Sequence, residues 1–291
     1  MKSAPFEYAR AASVAEACEL LARHGDGAKL VAGGQSLVPM MAMRLLRPAW
    51  LVDINEIAGL KFIAVEKDFA RIGACARQCA VERDEPLALR VPLLRQALAW
   101  VGHVQTRNRG TVGGSLAHAD PAAELPLAAQ VLGAKMALRS AKGTRMLDAE
   151  KFFFGPMTTA MRPDECLEEI RWPVWPERRC GSAFAEISIR HGDFAMVAAA
   201  AQIALDGDGR CVRAAFGLGG VGGTPLAFPK IAARLVGTRL EKKIVEEAAR
   251  DAAVESEPGG DLHASAEYRR HLARVLAARA LRAAHERAGA A

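Results

Sequence analysis

Two short glycine turns, Ala32-Gly33-Gly34-Gln35-Ser36-Leu37 and Thr111-Val112-Gly113-Gly114-Ser115-Leu116, constrain this chain more than any other feature. Each sets Gly-Gly beside a hydroxyl residue, and each follows or joins a short apolar stretch. Paired glycines let the backbone turn sharply and let its N–H groups converge on one point, with no Cβ to hold a ligand away. One such turn is suited to one phosphate, and two facing each other are suited to a pyrophosphate. Taken singly, either is also an ordinary tight turn. The shared pattern, Gly-Gly with Ser-Leu close behind, is what joins them into one expectation.

At 291 residues the chain has room for two domains, each with its own core. Just over half of the residues are apolar and a quarter are charged, as in globular proteins. The 39 basic residues are dispersed, and the net charge of +6 is modest. That balance reads as a solvated surface, with no nucleic-acid footprint. The amino terminus, Met1-Lys-Ser-Ala-Pro-Phe-Glu-Tyr, has no signal-peptide core. The longest plain apolar run, Met196 to Leu205, is interrupted by Gln202 and is too short to be a membrane span. Cys18, Cys75, Cys79, Cys166, Cys180 and Cys211 show no Cys-x-x-Cys pair, so neither zinc nor an iron–sulfur cluster is indicated. Cys75 and Cys79, four apart, have the spacing of one helix face and are read as packing thiols. Free thiols without an export signal fit a cytoplasmic protein.

Phe6 to Leu21 reads as a strand followed by a helix, with Ser13 as N-cap and Glu16 at capping-box spacing. Lys29 to Ala32 and Trp50 to Ile54 read as strands, completing a small α/β unit. A second unit begins with a strand at Phe69 to Ala74. It continues with helices at Val91 to Val101 and Leu125 to Leu132 and with strands at Lys135 to Arg139, Arg145 to Leu147 and Leu167 to Trp172. After Gly181 come strands at Ser182 to Ile189, Met196 to Leu205 and Cys211 to Phe216. Asp206-Gly-Asp-Gly209 gives the last two a hairpin turn. The remainder is helical and ends in a basic amphipathic stretch from Ala264 to about His285, expected to pack on its own sheet or on a partner. The domains are therefore expected at 1–57, 58–177 and 178–291.

One glycine cluster is a false lead. Gly217-Leu-Gly219-Gly-Val-Gly222 matches the dinucleotide fingerprint and follows a strand. That fingerprint requires a helix, then a second parallel strand with an acidic residue at its end. Here Pro229 interrupts the early helix, Leu240 to Val254 reads as a second helix, and no second strand follows. A flexible turn is the expectation.

The motifs Ala32-Gly-Gly-Gln-Ser-Leu-Val-Pro-Met-Met41, Leu51-Val-Asp-Ile-Asn55 and Arg107-Asn-Arg-Gly-Thr-Val-Gly-Gly-Ser115 together resemble the FAD-binding medium subunit of molybdenum hydroxylases. These are the enzymes of carbon-monoxide-dehydrogenase and xanthine-dehydrogenase type. The likeness continues through Ala119-Asp-Pro-Ala-Ala-Glu-Leu-Pro126, Arg190-His-Gly-Asp-Phe-Ala195 and Gly220-Val-Gly-Gly-Thr-Pro225, and so covers nearly the whole chain. It implies an α+β architecture: a two-subdomain FAD-binding fold of the vanillyl-alcohol-oxidase type, then a C-terminal domain with a three-stranded sheet and helices.

For FAD, the resemblance implies that Val31, Ala32, Gly33, Gly34, Gln35, Ser36 and Leu37, with Thr111, Gly113, Gly114 and Ser115, clasp the pyrophosphate and ribityl chain. Glu124 stands where relatives carry an acid reaching ribose or ribityl hydroxyls, a role suited to charge-assisted hydrogen bonds. Its bland counterpart is a solvated helix start. Leu167 is placed near the adenine or ring system, and Gly102 where the cofactor approaches closely. Asp193 and Phe194 stand close to the flavin ring, where Phe194 either shields the isoalloxazine or simply packs in the core. Many relatives carry a lysine near Glu186, and this chain does not. His118 reads as a loop histidine beside the site with no catalytic role, and no metal ligands are assigned.

The function implied is the flavoprotein electron-transfer subunit of a molybdenum-containing oxidoreductase. Its partners would be a large molybdenum-cofactor subunit and a small iron–sulfur subunit, in a dimer of heterotrimers. Electrons would arrive from iron–sulfur clusters and leave to NAD⁺, a quinone or another acceptor. Two alternatives are a stand-alone flavin oxidoreductase, for which the tail after Gly181 looks too small and plain, and a scaffold without cofactor, for which the glycine turns would be damaged.

Overall fold

The computed structural model describes residues 2–291 and contains three sheets of three or more strands. The first unit runs β1 (Glu7–Arg10), α1 (Val14–His24), β2 (Ala28–Val31), α2 (Leu37–Ala42) and β3 (Trp50–Asp53). Its sheet is parallel, in the order β1-β3-β2. Helix α1 starts where the sequence places it. The Glu16 N–H donates to Ser13 Oγ at 3.1 Å, and the Glu16 carboxylate accepts from the Ala12 N–H at 2.7 Å. Its buried face, Ala17, Cys18 and Leu21, packs with Val52 and Ile54. Helix α2 was not expected, and it follows directly on the first glycine turn.

The second unit holds β4 (Ile63–Val65), β5 (Phe69–Gly73), α3 (Gln78–Arg83), α4 (Glu85–Arg90), α5 (Pro92–Leu98), α6 (Val104–Arg109), α7 (Val112–His118) and α8 (Glu124–Leu132). It continues with β6 (Lys135–Ser140), β7 (Gly143–Asp148), α9 (Ala149–Phe152), β8 (Phe153–Gly155), β9 (Thr158–Thr159) and β10 (Cys166–Pro173). The five-stranded sheet is antiparallel throughout, in the order β4-β5-β10-β6-β7, and β8 and β9 pair separately. The expected strands and helices are present, and the unexpected short elements β4, α3, α4, α6, α7, α9, β8 and β9 join them. Cys75 precedes α3, so it does not share a helix face with Cys79. Its thiol, pushed up to about 11 by burial, lies with Cys18 and Cys166 in a small core joining the first unit to β10.

The third unit comprises β11 (Arg179–Ile187), β12 (Val197–Leu205), β13 (Cys211–Gly219), β14 (Leu226–Ala227), α10 (Pro229–Ala233), α11 (Lys242–Glu255) and α12 (Ala266–Ala290). The three expected strands form the sheet, and the two-residue β14 extends it to four in the order β11-β12-β13-β14. Every residue of β12 is buried, because helices cover both of its faces. Val197, Ala199, Ala201 and Ile203 face α12, while Ala198 and Ala200 join the core around α5 and α8. Small side chains let both helix layers approach. The alanine-rich stripe of α12 packs on this sheet, as expected for the basic final helix. Pro229 opens α10 at its first turn, where a proline is tolerated, and does not interrupt it.

Candidate functional site

The first glycine turn leaves β2 and enters α2. Gly34 adopts φ +71°, a conformation natural to glycine. Among the described residues, the N–H groups of Gly33, Gly34, Gln35, Ser36 and Leu37 have no intramolecular acceptor, and Ser36 makes no side-chain cap. A run of free amides at a turn is a site for an anion.

The second turn works differently. It opens α7, and its amides are mostly used within the chain. The Gly114 N–H donates to Thr111 Oγ1 at 3.0 Å, and the Val112 and Gly113 N–H groups donate to the Ala76 and Ala74 carbonyls. Its glycines serve close approach. A Cβ on Gly113 would lie 2.5 Å from Ala74 Cβ, and one on Gly114 would lie 2.6 Å from Thr111 Oγ1. The two turns meet face to face, since a Cβ on Gly33 would stand 2.9 Å from Gly110 Cα.

Together they border a cleft of about 820 Å³, within the range of small-molecule and cofactor sites. Every binding residue expected from the sequence lines it except Val31: Ala32, Gly33, Gly34, Gln35, Ser36, Leu37, Gly102, Thr111, Gly113, Gly114, Ser115, Glu124, Leu167, Asp193 and Phe194. Val31 ends β2 behind the turn. Thr106, Gly110, Asp120, Gly192 and the hairpin residues Met157, Thr158 and Thr159 also line the cleft and were not foreseen. The glycines were visible in the sequence, but their loops carry no periodic pattern. His118 lines the cleft too, as the last residue of α7 and not as a loop residue.

The walls are pinned by charge. Arg107 donates to the Val101 and Gly102 carbonyls at 2.9 and 3.2 Å and to Glu82 at 2.8 Å, which holds the Gly102 turn (φ +47°). The loop carrying Gly192 rests on that turn: a Cβ on Gly192 would lie 3.0 Å from the Gly102 carbonyl oxygen. The stack of His191 on Trp100, 5.3 Å between centroids, reinforces the contact. Phe194 beside it is 66% exposed, so it is no core residue. On the opposite wall, burial alone would raise the Glu165 carboxyl. Hydrogen bonds from Arg145 at 2.6 and 2.8 Å, and from the Arg162 N–H, outweigh it and hold Glu165 below its usual value.

Glu124 opens α8 and is 6% exposed, so it is not a solvated helix start. Burial, reinforced by the charge of Asp120, pushes it up to about 7. Behind it, on β11, burial and the charge of Glu124 push Glu186 up to about 9, and among the described residues neither Glu186 oxygen has a partner. The false-lead glycines serve packing. Gly217 sits against Val131 and Leu226, and Gly219 ends β13, which pairs antiparallel with β14.

Residues 4–175 match the FAD binding domain in molybdopterin dehydrogenase, and residues 182–284 match the CO dehydrogenase flavoprotein C-terminal domain. The chain is 38% identical over 288 residues to the 6-hydroxypseudooxynicotine dehydrogenase complex subunit alpha of Paenarthrobacter nicotinovorans, covering 99% of this chain and 97% of the relative. It is 37% identical to the carbon monoxide dehydrogenase medium chain of Afipia carboxidovorans, over 97% of this chain and 98% of that one. Among solved structures, carbon monoxide dehydrogenase from Hydrogenophaga pseudoflava superposes with a TM-score of 0.96 at 35% identity, covering 99% of both chains. The chain therefore belongs to the FAD-carrying medium subunits of the molybdenum hydroxylases, and it is an oxidoreductase flavoprotein. The cleft fits FAD chemically: free amides suit phosphate, and a buried carboxyl suits sugar hydroxyls.

Proposed function

We propose that this chain is the flavin station of a three-part molybdenum hydroxylase. A small partner carrying iron–sulfur clusters delivers electrons, a large partner carrying the molybdenum cofactor oxidises the substrate, and the assembly is a cytoplasmic dimer of heterotrimers. NAD⁺, a quinone or another acceptor takes the electrons onward. Residues 1–57 and 58–177 form the two FAD-binding subdomains, and 178–291 form the C-terminal domain. The observation that carries the reading is the convergence of glycine turns from two units and the Gly192–Phe194 loop of the third on one cleft.

In this reading the free amides from Gly33 to Leu37 hold the pyrophosphate, and the surfaces of Gly113 and Gly114 admit the ribityl chain beside Ser115. Glu124 takes sugar or ribityl hydroxyls, Leu167 packs near the adenine or ring system, and Gly102 admits the cofactor. Asp193 and the exposed Phe194 flank the flavin ring and limit access of water to it. Bound FAD supplies the electron-transfer chemistry, so no acid, base or nucleophile is required of the chain. No helix among the described residues is long and apolar enough to cross a membrane.

The test is FAD titration of the full chain, followed by flavin fluorescence. The wild-type chain takes up FAD and releases it on acid precipitation. Gly34→Val, which forces a β-branched residue to φ +71°, weakens binding by about 10-fold or more. Loaded with FAD and a chemical reductant, the chain reduces a dye but turns over no aldehyde, purine or carbon monoxide without partners. Substrate-dependent flavin reduction by the chain alone, free of molybdenum and iron, would overturn the assignment.

A further inference from the structure

The Leu51–Asn55 motif contributes only Ile54 to the cleft, yet it reaches the first glycine turn from behind. Asn55 Nδ2 donates to the Ala32 carbonyl at 2.7 Å, and the Asn55 side chain and N–H both donate to Asp53 Oδ1, at 2.7 and 2.8 Å. Tyr8 Oη donates to the other Asp53 oxygen. On its free side, Asn55 Oδ1 accepts from Arg77 Nη2 at 2.7 Å. The other arm of that guanidinium, Nη1, donates to the Arg109 carbonyl, which lies against Gly33. Arg77 is also the bridge partner of Thr111, and the next residue, Gln78, donates its N–H to the Gly110 carbonyl at 3.0 Å.

We propose that Asn55 and Arg77 form a clasp that fixes the two glycine turns against each other and thereby sets the affinity of the cleft for FAD. Both are positioning residues; neither lines the cleft. The inference rests on the FAD reading above. Where the turns touch, both surfaces are main chain, and glycine offers no side chain to lock them. Among the described residues, the Arg77–Asn55 bond is the one side-chain hydrogen bond between residues 28–57 and residues 77–115. Its position gives it leverage. A trans peptide directs C=O and N–H to opposite sides. Holding the Ala32 carbonyl toward Asn55 therefore directs the Gly33 N–H, one of the unpaired amides, the other way. A guanidinium suits this post because its planar fork serves two acceptors at fixed geometry, which an ammonium cannot do.

The experiment measures FAD dissociation constant, flavin release rate and apo-chain melting temperature for wild type, Asn55→Ala, Arg77→Lys and the double variant. Each single variant weakens FAD binding roughly 10-fold, because each breaks the charge-assisted Arg77–Asn55 bridge between the two turns. The loss falls mainly in faster release, while the apo melting temperature changes little. The double variant loses about as much as either single one, because the bonds act in series. Tyr8→Phe, at the far end of the chain of bonds, changes affinity no more than about 2-fold. Wild-type affinity in either single variant overturns the clasp. So does a multiplicative loss of about 100-fold in the double variant, or a lower melting temperature with unchanged affinity. Should Asn55→Ala not fold, Arg77→Lys decides alone. A wild-type chain that does not bind FAD would instead overturn the FAD reading itself.

Discussion

Glu186 offers the sharpest test of how this fold handles charge. Along β11, alternation turns Ser182, Phe184 and Glu186 toward the α5 and α8 layer, while Ala183, Ala185 and Ile187 face α12. Glu186 is 6% exposed, its oxygens find no donor among the described residues, and burial with the charge of Glu124 raises it from 4.5 to about 9. The sign follows from linkage. The unfolded carboxyl loses its proton above 4.5, whereas the folded one keeps it until about 9. The ionisation of Glu186 thus contributes nothing below 4.5 and progressively destabilises the fold between there and 9. The cost grows by about 1.4 kcal/mol per pH unit and reaches about 3 kcal/mol at pH 7.

Glu186→Gln removes the ionisation and keeps the shape. The new amide has its own unmet hydrogen bonds, but that cost does not depend on pH. The difference in stability between variant and wild type should therefore rise steadily from pH 5 to pH 9. At about 2–4 °C per kcal/mol, this ionisation contribution raises the melting temperature by roughly 6–12 °C at pH 7. Thermal unfolding of both proteins at each pH is the assay. A second arm uses Glu124→Gln, which removes the neighbouring charge, so that the rise attributable to Glu186 ends at a lower pH. A stability difference that is flat from pH 5 to pH 9 would refute the reasoning.

Three further expectations concern glycines. Gly217→Ala places a methyl 2.8 Å from Val131 Cγ2 and against the Leu226 carbonyl, and should cost about 1–3 kcal/mol by urea denaturation. Gly219→Ala meets only ordinary contacts, the nearest being Leu127 Cδ2 at 3.4 Å, and should leave both stability and FAD affinity nearly unchanged. Gly181→Ala drives a methyl into the main chain of α12 at Ala284 and Ala288, and should lower the melting temperature by several degrees, on the order of 1–3 kcal/mol of overpacking.

The long strands and helices were legible because each carries a repeating apolar pattern or a local cap. Ser13 and Glu16 marked the start of α1, and Asp206-Gly-Asp-Gly209 marked the turn between β12 and β13. The short pieces were not legible. Helices α3, α4 and α6 have six residues each, less than two turns, and their position is decided by what they pack against. Strand β14 exists because Leu226 and Ala227 meet the far edge of β13, a pairing without local signature. The loop from Arg190 to Phe194 came from family likeness alone. Its approach to the cleft depends on Gly192 resting on the Gly102 turn, some ninety positions away in the chain.

The three glycine clusters look alike as letters, and the structure separates them by what lies opposite the missing Cβ and by where the amides go. At Gly217 the space is taken by Val131 and Leu226, so the glycine is a packing device. At Gly113 it is taken by Ala74, and the amides of the turn are mostly bonded within the chain. Only at Gly33 and Gly34 do close approach and a run of unpaired N–H groups coincide. Anion binding depends on that second property, because a bonded amide has no hydrogen left to offer. The first Gly-Gly pair marked a turn, at the entrance to α2, whereas the second, expected as a turn, lies within the opening of helix α7 behind its N-cap Thr111. Which turn carries the phosphate-binding amides is decided by tertiary hydrogen bonds to Ala74, Ala76 and Thr111, and those bonds depend on contacts that no local spacing encodes.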